Sequence, residues 1–351
     1  MNPPALLLEV RDLRTRFDTD DGRYAAVDGV SFAVDAGRTL AIVGESGCGK
    51  SVTALSIMGL VPKPAGHVDP TSSIRFEGVE LVGAPERSLQ DLRGNAMAMI
   101  FQEPMSSLNP AFTIGDQIVE GLLRHRAGWA STATGAGGVR EQATARAIEM
   151  LRKVRIPAPE QRLHDYPHQL SGGMRQRAMI AMALACTPRL LIADEPTTAL
   201  DVTIQAQILA LLRSLQRDTG TAVVLITHDL GVVAEVADDV VVMYAGQVVE
   251  RAPVQSLFDA PQHPYTVGLL GSIPRLDVQR ERLAAIDGQV PSPLRPPPGC
   301  RFADRCPYAD AHCRAVPPPL REVAPGHASA CWKAPLDPQQ LLASAALAAT
   351  A

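Results

Sequence analysis

Gly44-Glu45-Ser46-Gly47-Cys48-Gly49-Lys50-Ser51 decides how the rest of this chain is read. It fits the phosphate-loop pattern G-x-x-x-x-G-K-[ST]. The setting suits the chemistry: Thr39–Val43 reads as a short buried strand before it, and Ser51 to Leu60 as a helix after it. Glycines let the backbone turn tightly enough to aim several N–H groups at one anion, and the helix start adds its partial positive charge. In this pattern Lys50 neutralises the β- and γ-phosphates and Ser51 ligates Mg²⁺. Expected nucleotide contacts run through the whole loop to Val52. The simpler reading, a chance glycine-rich turn, does not account for a strand and a helix both in register with it.

Working outward, Leu6–Val10 and Val30–Val34 read as strands on either side of a polar loop, Asp18 to Arg23. A loop rich in Pro, Gly and Ser, Val61 to Ser73, follows the helix. Met97–Ile100 reads as a strand. From Ile114 to Arg177 strand character is lost, and Ala143, Ala147, Met150, Leu151 and Val154 recur at helical spacing. Ala127–Val139 is low in complexity and is expected to be an exposed loop. Leu190–Ala193 and Ala222–Ile226 are unbroken apolar runs, as in a parallel sheet covered on both faces. The helical stretch Ile204–Gln216 between them makes a βαβ unit. Val240–Tyr244 and Gln247–Glu250 read as a hairpin around Ala245-Gly246.

The 351 residues, 46% of them hydrophobic, allow one large domain and a smaller one. A net charge of −4 argues against bulk binding to nucleic acid. No apolar run reaches membrane-spanning length, the best candidates, Ala178–Cys186 and Val240–Tyr244, being too short. The opening MNPPALLLEV lacks the charged and apolar regions of a signal peptide. A cytoplasmic chain is expected, with its six cysteines as thiols or metal ligands rather than disulfides.

Two more stretches carry chemistry. Leu190 to Glu195 is an apolar strand ending in two carboxylates, and ligands in open α/β sheets gather at the carboxyl ends of strands. Asp194 can serve the Mg²⁺ shell there, and Glu195 the attacking water. Leu170-Ser171-Gly172-Gly173-Met174-Arg175-Gln176-Arg177 puts Ser171 at the N-cap of an amphipathic helix, with no side chain on Gly172 or Gly173 to block an anion.

LSGGMRQR is similar to the LSGGQ signature of ATP-binding cassette ATPases, and its place between the P-loop and the two-carboxylate strand matches theirs. Phe101-Gln102-Glu103-Pro104 resembles the family's glutamine loop, Thr198-Ala199-Leu200-Asp201 its D-loop, and Thr227-His228-Asp229 its histidine switch. The one departure is Met174 where glutamine is usual, beside the phosphate-contacting backbone. The resemblance implies an α/β P-loop NTPase cassette, with a RecA-like parallel sheet core, an antiparallel β subdomain and a helical subdomain over about residues 103–180. It implies that Gln102 and Ser51 ligate Mg²⁺, with Asp194 acting directly or through water, that Glu195 acts as general base or polarises the water, and that His228 steadies the γ-phosphate. It also implies head-to-tail pairing, in which Ser171, Gly172, Gly173 and Asp201 reach the partner's ATP. Phe17 is expected to stack on adenine, with Tyr24 as its competitor.

More closely, Gln102–Pro110, the stretch His263-Pro264-Tyr265-Thr266, and Gly299-Cys300-Arg301-Phe302 with Arg305-Cys306-Pro307 resemble the ATPase subunits of oligopeptide and dipeptide importers, a group shared with nickel importers. Expected partners are two membrane permease subunits, a second ATPase, favoured as a paralogue, and indirectly an extracytoplasmic substrate-binding protein, with no nucleic acid. The protein would be peripheral, on the cytoplasmic face of the inner or plasma membrane. Rival readings are a soluble cassette ATPase working on DNA or the ribosome, and a regulatory subunit that binds nucleotide without hydrolysis. No heptads and no second P-loop speak for the first, and an intact Asp194-Glu195 speaks against the second.

Composition shifts near Pro261, so a cassette over 1–260, a Pro- and Cys-rich domain over 261–335 and a tail over 336–351, helical or frayed, are expected. Cys300, Cys306, Cys313 and Cys331 are separated by five, six and seventeen residues. No tight C-x₂₋₄-C pair of a zinc site is present. Four clustered thiolates suit a [4Fe–4S] cluster, as some members of the importer family carry here, with zinc as the alternative and packed structural thiols as the simplest reading. His312 and His327 are expected at the surface.

Overall fold

The unbroken apolar runs become fully buried strands, and the helical spacings become helices. In this computed structural model, residues 6–103, 107–125, 136–197, 202–272 and 286–337 are described. In chain order the strands are β1 (Leu6–Thr19), β2 (Gly22–Asp35), β3 (Thr39–Val43), β4 (Gly66–Val68), β5 (Ser73–Phe76), β6 (Val79–Glu80) and β7 (Met97–Ile100). They continue with β8 (Leu190–Asp194), β9 (Ala222–Ile226), β10 (Asp239–Tyr244), β11 (Gln247–Pro253), β12 (Arg321–Ala324) and β13 (His327–Ser329). The chain divides into two compact units. One holds residues 1–7, 34–38 and 83–226, and the other residues 8–33, 39–82 and 227–351.

In the first unit β7, β8 and β9 run parallel, in a register that sets Ile100 beside Ala193 and Asp194 beside Ile226. Every residue of these strands is buried, which explains why they show no polar–apolar alternation. The helix Val202–Thr219 joins β8 to β9, completing the expected βαβ unit. The helices Ile114–Arg124, Ala136–Lys153 and Gly172–Leu184 pack together. Ala143, Ala147, Met150 and Leu151 are buried along the middle one, and Val154 is buried just past its end. That helix begins at Ala136, inside the stretch expected as a loop, and Val139 is buried; residues 126–135 lie outside the described residues. Two glycines in its first turn and the bland sequence before it hid the start.

In the second unit the β1–β2 hairpin is longer than expected, its strands running on through polar residues to Thr19 and Gly22. One sheet has the order β2-β1-β5-β6, with β4 on the far end of β1. The expected loop Val61 to Ser73 thus contains a short strand. Elsewhere in this unit β10 lies parallel to β3 and pairs with β11 as an antiparallel hairpin. β13 adds to β11, and β12 to β13. The C-terminal strands therefore extend the pairing that begins beside the P-loop strand. Tyr244, Tyr265 and Phe302 meet edge to face or tilted, with ring centroids 4.7–5.4 Å apart, in a core shared with Val43, Val240, Val242 and Leu257.

Candidate nucleotide site and the cysteine pocket

The loop Gly44–Ser51 joins β3 to the helix Lys50–Ile57, as its pattern requires. Gly44 has φ +149°, and a Cβ there would stand 2.2 Å from the carbonyl oxygen of Met243. Gly49 has φ +100° as the N-cap of the helix, and its Cβ would stand 2.4 Å from the carbonyl oxygen of Ala26. Backbone on β10 and β2 thus leaves no room for any other residue. Lys50 is buried, its Nζ donating to the carbonyls of Gly44 at 2.8 Å and Glu45 at 3.0 Å. Cys48 is also buried, and burial pushes its thiol up. Ser46 and Gly47 are exposed, while Ser51 and Val52 are half-buried on the first turn of the helix. His228 is exposed just beyond β9, next to Asp229, whose carboxylate caps the following helix by accepting from Gly231 N–H and Val232 N–H. Phe17 and Tyr24, the two adenine candidates, stack on each other at 5.7 Å and 21°.

In the other unit Asp194 ends β8, 4% exposed. Glu195 follows with φ +46°, a left-handed conformation that a glutamate adopts only when its surroundings impose it. Its N–H donates to the carbonyl of Ile226 at 2.9 Å. Gln102 Nε2 donates to Glu195 Oε2 at 3.3 Å, so the glutamine of one expected motif and the carboxylate of another are brought together. Ser171 caps its helix, accepting from Met174 N–H at 3.4 Å. A Cβ on Gly172 would meet nothing within 4 Å, which leaves this helix start open. Two residues beyond the expected set hold it. Gln176 donates to the carbonyl of Pro196, next to Glu195, and Arg177 donates to Val154 O at 2.9 Å and Gln207 Oε1 at 2.6 Å. Thr198–Asp201 and Pro104 lie outside the described residues.

The donors expected for Mg²⁺, a hydroxyl at Ser51, an amide at Gln102 and a carboxylate at Asp194, are all hard oxygens, and the ion ordinarily adds phosphate and water ligands. That chemistry fits. The cysteines are different. Cys300, Cys306, Cys313 and Cys331 all line one pocket, with Phe302, Trp332 and His263. Burial pushes Cys306 up to about 12 and raises Cys300 and Cys331. Yet among the described residues no group of three or more His, Cys, Asp or Glu side chains is disposed to hold a metal ion. Neither the [4Fe–4S] cluster nor the zinc alternative therefore finds support in the structure, which shows only four thiols lining one pocket.

His327 corrects the expectation of a surface residue. It is 3% exposed, with Nε2 2.7 Å from Oε1 of Glu250, itself fully buried. Glu250 also accepts from the N–H groups of Gln262 and His263. His312 is exposed, as expected. Sequence reading also missed Tyr265 and Arg305, which reach Glu45 from the C-terminal segment. Both lie inside the importer-like stretches, but nothing local marks their target.

With this geometry in hand, the matches to known families follow. The ABC transporter family matches residues 27–198, and the oligopeptide/dipeptide transporter C-terminal region matches residues 249–313. This chain belongs to the ABC transporter family. It is 55% identical to the probable peptide ABC transporter ATP-binding protein y4tR of Sinorhizobium fredii, over 95% of this chain and 96% of that one. It is 52% identical to the oligopeptide transport ATP-binding protein AppD of Bacillus subtilis (93% and 96% covered) and 48% identical to the oligopeptide transport ATP-binding protein OppD of Salmonella typhimurium (94% and 95%). Among solved structures, the dimeric bacterial ABC transporter cassette MJ0796 shares the fold at TM-score 0.60 and 24% identity, over 71% of this chain and 99% of that one. The expected P-loop cassette fold is the one observed, and the chain is an ABC ATPase. No described helix is long and apolar enough to cross a membrane.

Proposed function

We propose that this ATPase powers import of peptides through separate membrane permease subunits, from the cytoplasmic face. The observation that carries this is the match of residues 249–313 to the oligopeptide/dipeptide transporter C-terminal region, in a chain about half identical to peptide-transport subunits along nearly its whole length. The chain's residues take these roles. The loop from Gly44 to Val52 wraps the phosphates, with Lys50 as the neutralising charge and Phe17, backed by Tyr24, against adenine. Ser51, Gln102 and Asp194 complete the shell of Mg²⁺, which would neutralise charge on the phosphates. Glu195 takes the proton of the attacking water, and its hydrogen bond from Gln102 fixes where that oxygen points. His228 steadies the γ-phosphate. Ser171, Gly172, Gly173 and Asp201 serve the ATP of a second ATPase subunit, a paralogue by preference. A substrate-binding protein outside the membrane delivers the cargo. We divide the chain at residue 260 into the cassette and the C-terminal domain.

The finer proposal is that Cys300, Cys306, Cys313 and Cys331 hold a [4Fe–4S] cluster that staples the segment 261–335. Its support is the convergence of four thiols on one pocket. The test of the main reading is reconstitution. The chain, its permease subunits and partner ATPase in vesicles should take up a labelled peptide only with ATP. Uptake of nickel but not peptide would replace the cargo, and failure to copurify with any membrane protein would favour a soluble cassette ATPase.

A further inference from the structure

Glu45 puts a carboxylate into a loop whose work is to bind anions. Unopposed, a negative charge there repels a phosphate chain held by the neighbouring backbone. The structure opposes it with one side chain from the C-terminal segment. Arg305 donates Nη1 to Glu45 Oε2 at 2.7 Å and Nη2 to Oε1 at 3.0 Å, the two-pronged geometry in which a guanidinium matches a carboxylate. Its other donors reach the carbonyls of Ile286 and Asp287, both at 2.9 Å, and the hydroxyl of Tyr244 at 3.3 Å. The guanidinium lies over the rings of Tyr244 and Phe302, and the side chain is only 6% exposed. The Glu45 side chain is 27% exposed, so water screens the pair only from the carboxylate side. The same turn is fixed a second time, because the Glu45 N–H donates to the hydroxyl of fully buried Tyr265 at 2.8 Å.

We infer that Arg305 is a positioning residue for nucleotide binding: it cancels the charge of Glu45 and, with Tyr265, holds the first turn of the P-loop in its phosphate-accepting shape. The C-terminal segment is thereby part of the nucleotide site's support. Cys306, which lines the cysteine pocket, is the next residue along, so whatever shapes that pocket sits one peptide away from the clamp. The inference rests on the P-loop binding ATP.

The test is equilibrium binding of a fluorescent ATP analogue with Mg²⁺ to the full chain, alongside steady-state hydrolysis by the assembled transporter. Arg305→Ala should weaken binding on the order of tenfold, the size of an ordinary coupling between sites. It should raise KM while leaving kcat near wild type, because it removes binding common to ground and transition states. Arg305→Lys keeps the charge but not the fork and should fall between. In Glu45→Gln/Arg305→Ala the charge to be cancelled is gone, so most of the lost affinity should return. A merely structural arginine would give additive losses. Wild-type affinity in Arg305→Ala, or a double variant as weak as the single one, overturns the inference. If the alanine variant does not fold, Arg305→Gln and its Glu45→Gln double are read by the same criteria. A wild-type chain that fails to bind the analogue would instead refute the ATP-binding reading.

Discussion

The P-loop and the four-cysteine pocket belong to the same compact unit and are built in opposite ways. The loop is eight consecutive residues, and its shape is imposed by backbone: carbonyls of Met243 and Ala26 stand where a side chain at Gly44 or Gly49 would be. The pocket gathers side chains from separated stretches, and no single ladder or turn dictates their spacing. A site made of contiguous backbone is specified locally and tolerates no substitution at its tight points. A site made of dispersed side chains depends on the packing that brings them together. Damage to the first should remove chemistry and leave the fold. Damage to the second should loosen the fold and leave the chemistry.

The largest effect should come from Glu195→Gln. It keeps the shape and loses the basic oxygen, so turnover by a transporter carrying the change in both ATPase subunits should fall roughly 10²–10⁴-fold, the usual worth of a general base. Nucleotide binding should persist. Near-normal hydrolysis would remove Glu195 from the mechanism. Lys50→Ala comes next: ATP affinity should drop about a hundredfold, as when one partner of a close charge pair is truncated, while the melting temperature moves little. Unchanged affinity in a titration with a nucleotide analogue would break the comparison on the loop side.

On the pocket side, protein purified without oxygen should be brown and carry about four irons per chain. Cys306→Ser should lose the iron and lower the melting temperature by several degrees, about 1–2 kcal/mol, with the loop still binding ATP. Stoichiometric zinc without iron would refute the cluster but keep a metal staple, and neither metal would leave the packed-thiol reading. The one pH-dependent effect concerns His263, fully buried and held by burial at about 3, well below its ordinary value of 6.5. The unfolded chain therefore binds a proton that the folded chain refuses. Stability should fall as pH drops below about 6.5 and keep falling towards 3, with a slope approaching about 1.4 kcal/mol per pH unit for this one group. Asn at 263 keeps an acceptor for the Tyr265 N–H, which His263 Nδ1 now receives at 3.1 Å. His263→Asn should flatten that acid limb in a pH series of chemical denaturations; an identical limb would place the proton elsewhere.

The same contrast explains what could be read in the sequence. β3, β7, β8 and β9 announced themselves because strands buried on both faces are apolar without a break. The loop, the two carboxylates at the end of β8 and the capped signature helix are contiguous patterns, so their residues could be named in advance. The start of the helix at Ala136 could not, since Gly137 and Gly138 carry loop composition into a helical turn. His327 looked like a surface residue because its reason for being buried, Glu250, is 77 residues away. Arg305 and Tyr265 had no local signal at all: an arginine in a Pro-rich stretch reads as solvated until its carboxylate is seen. Phe17 and Tyr24, rivals for adenine in the sequence, stack on each other in the structure.

The clamp on Glu45 also bears on how the protein is made. Arg305 meets Glu45 across 260 residues, and Arg301 meets Asp28 on β2 across 273. A ribosome delivers the P-loop early and both arginines near the end, so during most of synthesis the loop carries an uncancelled carboxylate. ATP in the surrounding solution should bind nascent or prematurely terminated chains about tenfold more weakly than the full chain, the same loss expected on removing Arg305. Completion of the chain would then act as the quality check on the nucleotide site.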